Sequence, residues 1–110
     1  MANDAKILLL GDSLTQLSFE GWGSKLAHVY QRRADVINRG CSGYNTTFYL
    51  RLPLPTLSNV ALVTIFFGAN DAALQAQDPH HHVPLNEYKA NLNVLVKRVQ
   101  TTYGNPRILL

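Results

Sequence analysis

The sequence predicts an α/β protein with a parallel sheet and helices on both of its faces. Two observations carry that prediction. Short apolar runs suited to strands alternate along the whole chain with longer stretches of helical periodicity. The strongest runs are apolar at successive positions rather than alternate ones, as strands covered on both faces are.

Each element follows in order. Lys6, Ile7, Leu8, Leu9 and Leu10 form an apolar run closed by Gly11, which predicts a buried first strand. Over 21–33, Trp22, Leu26, Val29 and Tyr30 fall at helical spacing and predict a helix. Residues 34–38 make a second short strand, leading into a polar loop that holds Gly40 and Gly43. Residues 46–52 predict a short helix halted by Pro53 and Pro55. The clearest strand spans 60–67, rich in β-branched and aromatic side chains and closed by Gly68. A long loop over 69–84 precedes a helix over 85–103, where Tyr88, Leu92, Leu95, Val96 and Val99 follow the i, i+3, i+4 pattern. Gly104-Asn105-Pro106 ends that helix, and residues 107–110 open a fourth strand. A domain that stops inside a central strand is unusual. The expectation is therefore one domain over 1–110, incomplete at its C-terminus.

Composition narrows the function. The chain has 110 residues and an ordinary apolar fraction of 46%, which fits one small folded domain with a thin stability margin. Its one cysteine, Cys41, forbids an internal disulfide and any multi-cysteine metal site. No apolar run approaches a membrane span, and the stretch from Met1 to Gly11 is too poor in apolar residues for a signal peptide. Together these predict a cytoplasmic protein. The net charge of +3 comes from scattered basic residues without interleaved aromatics, which argues against nucleic acid as a partner.

In open parallel sheets, functional groups gather at the carboxyl ends of the strands. Three such ends carry polar loops: Gly11-Asp12-Ser13-Leu14-Thr15, Gly40-Cys41-Ser42-Gly43-Tyr44-Asn45, and Gly68-Ala69-Asn70-Asp71. Acyl transfer needs a nucleophile and hydrogen-bond donors aimed at the developing oxyanion. Ser13 offers a hydroxyl in a tight turn. Gly43 leaves its backbone N–H unshielded by a side chain, and Asn70 offers a neutral amide donor.

These three blocks resemble, in order, the first three blocks of the SGNH (GDSL) hydrolases. The stretches 38–46 and 66–72 are most similar to the isoamyl acetate-hydrolysing esterase branch of that family. The resemblance implies a flavodoxin-like α/β/α sandwich, an ester substrate, no metal and no organic cofactor. It also implies that Ser13 is the nucleophile, with an oxyanion hole made by Ser13 N–H, Gly43 N–H and the Asn70 side chain. The family's last block, an Asp and a His three residues apart near the C-terminus, has no counterpart near this C-terminus. Asp78 and His81 have that spacing, but early in chain order and beside Pro79, so a surface turn is expected there.

Plainer roles stand beside these. Ser13 taken alone reads as a helix cap or turn residue, Asp12 as a stabiliser of the turn, and Asp71 as an Asx turn. Cys41 reads as an inert, half-buried thiol and His28 as packing or surface. His80, His81 and His82 would need further ligands to hold a metal. Trp22 and Tyr44 read as pocket walls, or Trp22 as helix-to-sheet packing.

Three functional readings follow. The first is an ester hydrolase whose His and Asp lie beyond Leu110. The second is a shortened, inactive chain that pairs its unfinished sheet edge with another chain. The third is a flavodoxin-like anion or nucleotide binder; the single glycine of the first loop, its lack of a P-loop lysine and the charge of Asp12 speak against it.

Overall fold

The computed structural model describes residues 4–110; the part of the N-terminal reading that falls on Met1, Ala2 and Asn3 lies outside them. The elements run β1 (Lys6–Gly11), α1 (Ser13–Gln16), a 3-10 turn (Leu17–Glu20), α2 (Trp22–Val29), β2 (Asp35–Gly40), α3 (Thr46–Tyr49), β3 (Val60–Phe66), α4 (Leu85–Tyr103) and β4 (Arg107–Leu109). The strands form one parallel sheet in the order β2-β1-β3-β4. The chain starts at the interior strand β1, steps outward to β2, then crosses back over β1 to reach β3. That reversal makes the carboxyl ends of β1 and β3 the topological switch point of the sheet.

Side-chain alternation divides the core into two faces. Leu8 and Leu10 of β1 join Val63 and Ile65 of β3, Phe67, Tyr49 of α3, and Leu95 and Val99 of α4 in one buried cluster. α4 therefore covers this face, and its helical stripe of apolar residues is the cause. Gly104 ends the helix in the left-handed conformation at φ 71°, the cap that glycine adopts without strain.

Leu9 and Thr64, which pair across β1 and β3, point to the opposite face with Asn38 of β2. Asn38 donates to the carbonyls of Thr15 (2.8 Å) and Gln16 (3.1 Å), so α1 lies there, and α2 packs along β2 beyond it. Over β3 and β4 this second face stays open. Phe66 is 48% exposed and Leu109 61% exposed, and both border a cleft with Trp22.

The architecture agrees with the predicted one, while several boundaries move. The helix expected over 21–33 stops at Val29 and does not resume, because Arg32 takes a left-handed φ of 72° that a right-handed helix cannot contain. β2 runs on to Gly40, held in register by the β1 ladder. The helix expected over 46–52 ends at Tyr49, since the residue before a proline resists helical geometry and Pro53 follows closely. α1 was absent from the expected elements. Its four residues are nucleated by Asp12, a capping signal too short to show as periodicity.

Candidate active site

The strand register brings the three polar loops together. Gly11 pairs with Gly40 on one side and with Phe66 on the other, so the ends of β1, β2 and β3 lie level. Gly11 has little room for a side chain: a Cβ there would strike Thr15 Oγ1 and lie 2.7 Å from the Phe66 carbonyl. α1 can thus sit directly on the strand ends.

Ser13 is the first residue of α1 and is half-buried. The cap is Asp12, not Ser13: its buried Oδ1 accepts from Leu14 N at 3.0 Å. A buried carboxylate in the first loop repels phosphate, which weakens the anion-binder reading further. Cys41 N donates to Gly11 O (2.9 Å) and Ser42 N to Gln16 Oε1 (2.6 Å), tying the second loop to the first. Gly43 follows at φ +79°, a left-handed conformation that favours glycine. Asn70 Nδ2 donates to Tyr44 O at 3.0 Å, tying the third loop to the second. Ser13, Gly43 and Asn70 therefore stand on three loops that are bonded to one another.

Other residues of the site went unnoticed in the sequence. Asn45 caps α3 by accepting from Phe48 N (2.8 Å) and donates to His81 O (2.9 Å). The Asn-Thr-Thr stretch before a helix was the available signal. Asp71 corrects the Asx-turn reading. Its side chain is 3% exposed and Oδ2 accepts from Thr46 N (3.0 Å) and Thr46 Oγ1 (2.6 Å), linking the third loop to α3. Asn91 of α4 completes the link by donating to both Thr46 Oγ1 and Thr47 Oγ1 at 3.0 Å.

Asp78 and His81 do form the expected turn, and more than a turn. His81 N donates to Asp78 Oδ1 (3.3 Å), and His81 Nδ1 lies 2.8 Å from Asp78 Oδ2. The hydrogen bond from His81 holds the Asp78 carboxyl below its ordinary range. His81 Nε2 lies 3.9 Å from the point where a side chain on Gly43 would begin. The His80 and His81 rings meet edge to face at 5.0 Å and the His80 ring tilts against Phe48 at 5.1 Å, while His82 turns away, its Nδ1 facing Ala73 O at 2.8 Å. Burial pushes the Cys41 thiol up from its ordinary value. Trp22 is exposed rather than packed into the core. Its Nε1 donates to Leu14 O (3.1 Å), and it walls a cleft shared with Ser13, Leu17 and Phe66.

Residues 9–110 match the GDSL-like lipase/acylhydrolase family. The isoamyl acetate-hydrolyzing esterase 1 homolog of Mus musculus is 49% identical over 105 residues, 87% of this chain and 42% of the mouse protein. Its Homo sapiens counterpart is 47% identical over the same shares. A GDSL esterase/lipase of Arabidopsis thaliana is 47% identical over 86% of this chain and 43% of its own length. The chain thus spans about two-fifths of the curated relatives it matches. Among solved structures, an acetyl xylan esterase named AlAXEase superposes with a TM-score of 0.75 at 20% identity, covering 96% of this chain and 56% of that one. Axe2, an acetylxylan esterase from Geobacillus stearothermophilus, gives 0.72 at 21% identity, covering 97% and 59%. These likenesses bear out the parallel α/β fold, and the extent of the family match decides membership: the chain belongs to the GDSL-like lipase/acylhydrolase family.

Proposed function

We propose that the chain carries the nucleophile and oxyanion hole of a serine ester hydrolase acting on small or medium acyl esters. The observation that carries this reading is the bonded arrangement of the three loops at the switch point. Ser13 Oγ attacks the ester carbonyl, the carbonyl oxygen becomes an oxyanion, and the alcohol leaves to give an acyl-enzyme that water then hydrolyses. Ser13 N–H, Gly43 N–H and Asn70 Nδ2–H receive the oxyanion. An amide nitrogen carries two N–H donors, and Asn70 commits one to Tyr44 O, which aims the side chain and leaves the second for substrate. The cleft walled by Trp22, Leu17 and Phe66 beside Ser13 supplies an apolar berth for an acyl chain or alcohol.

A serine hydroxyl at neutral pH needs a base. We assign that base, and the Asp that orients it, to sequence outside these 110 residues, in keeping with the share of the relatives that the chain spans. A second reading rests on the same share: the 110 residues by themselves are catalytically silent and associate through the edge of β4. A single domain over 1–110, a cytoplasmic location and the absence of nucleic-acid partners complete the reading.

Phosphonate trapping tests the nucleophile. The chain is joined to the C-terminal segment of the mouse relative and treated with a p-nitrophenyl alkylphosphonate, and its peptides are mapped by mass spectrometry. The adduct is expected on Ser13 and absent from Ser13→Ala. An adduct on another residue, or one that survives the substitution, overturns the assignment.

A further inference from the structure

A second cleft, of about 420 Å³, is lined by Gly43 itself. We propose that this cleft, formed by Gly43, Tyr44, Phe48, Arg51, His80 and His81, is a substrate subsite that selects esters carrying a carboxylate. The inference rests on the reading of Gly43 N–H as an oxyanion donor, because that places the cleft within one substituent of the reacting carbonyl.

Its chemistry is one-sided. None of the residues lining the cleft is an Asp or Glu. Arg51 holds its guanidinium 5.5 Å above the Phe48 ring, and among the described residues no carboxylate lies within ion-pair distance of it. The guanidinium is thus shelved on an aromatic face, with its planar fork of donors open to a carboxylate. The nearby acid, Asp78, is already engaged by the backbone and ring of His81. That bond fixes the His81 Nδ1 proton on the Asp78 side and presents Nε2 to Gly43. Asn45 Nδ2 on His81 O anchors the loop, and the His80 ring closes the wall against Phe48. An ester whose carbonyl meets Gly43 N–H can therefore extend a carboxylate toward Arg51.

Binding to the 110-residue chain tests this without requiring turnover. Monoethyl succinate and its neutral analogue ethyl butyrate are titrated separately, read by backbone amide and histidine-ring NMR signals. The carboxylate ester is expected to bind about 5-fold tighter, the scale of one partly exposed ion pair, and to lose that advantage as salt is raised. Arg51→Gln should bring the two esters to equal affinity, with the His81 ring signals no longer shifted by the acid. Equal affinities in the unsubstituted chain, with Ser13, Gly43 and Asn70 signals moving for both esters, overturn the subsite and leave the ester-hydrolase reading standing. If neither ester moves those signals, the ester reading fails and the subsite fails with it. A preference that survives Arg51→Gln also overturns the proposal.

Discussion

Asp71 shows how much of the site depends on one buried carboxylate. Its Oδ2 takes two donors from Thr46, and removing its charge weakens both bonds at a position closed to water. Asp71→Asn should cost about 2 kcal/mol, the usual scale for hydrogen bonds to a buried charge, seen as a lower urea midpoint at an unchanged slope. Asp78 makes the opposite case, since it stands near solvent. His81 lowers its carboxyl, so a 13C titration should place its midpoint below the ordinary value of 3.8, and His81→Gln should move it back up. A carboxyl depressed in the folded state adds stability above its unfolded value and loses it as pH falls through the folded one. The pair therefore contributes at neutral pH, and its contribution is lost only in acid solution. That the segments holding Ser13, Gly43 and Asn70 adjoin was legible in the sequence because each follows a strand of one parallel sheet. Asp71 was misread because its partner, Thr46, lies at the start of α3, and sequence offers no measure of that distance.

At the scale of elements, the long periodic segments were the most legible. α4 runs over Leu85–Tyr103, as its apolar spacing implies, because a stripe that long has one way to bury itself. α1 was invisible for the converse reason: four residues span barely one turn, and their helix exists because Asp12 and Asn38 satisfy its ends. Two substitutions separate these causes. Leu95→Ala empties a position that is 1% exposed in the core, and should cost about 2–5 kcal/mol in chemical denaturation. Gly11→Ala adds one methyl group against Thr15 Oγ1 and the Phe66 carbonyl, where α1, β1 and β3 meet. It should destabilise by about 1–3 kcal/mol through overpacking and displace the Ser13 loop, visible as shifted amide signals from Ser13 to Gln16.

For the whole molecule, the parallel sheet with helices on its faces followed from the alternation of apolar runs, whereas the strand order did not, and the second face is covered unevenly. Trp22, Phe66 and Leu109 leave an apolar stretch beside β4, and the outer edge of β4 has no neighbour among the described strands. An open strand edge next to exposed apolar side chains favours pairing between chains. On the second reading proposed above, sedimentation of the 110 residues should show a concentration-dependent dimer that Leu109→Lys disperses; a monomer at all concentrations would remove that reading. The uneven cover was not legible in the sequence, because periodicity marks which residues want burial and not whether an element arrives to bury them.

On the proposed function, Ser13 is the nucleophile, Ser13 N–H, Gly43 N–H and Asn70 are its oxyanion donors, and its base lies outside the 110 residues. Hydrolysis of p-nitrophenyl acetate tests it most directly, measured for the chain alone, for the chain joined to the C-terminal segment of the mouse relative, and for Ser13→Ala in each. The joined protein should turn over and lose at least about 10³-fold with Ser13→Ala, while the chain alone should match its own Ser13→Ala control. Turnover of the joined protein that is indifferent to Ser13→Ala would contradict the nucleophile. Ser13-dependent turnover by the chain alone would contradict the external base.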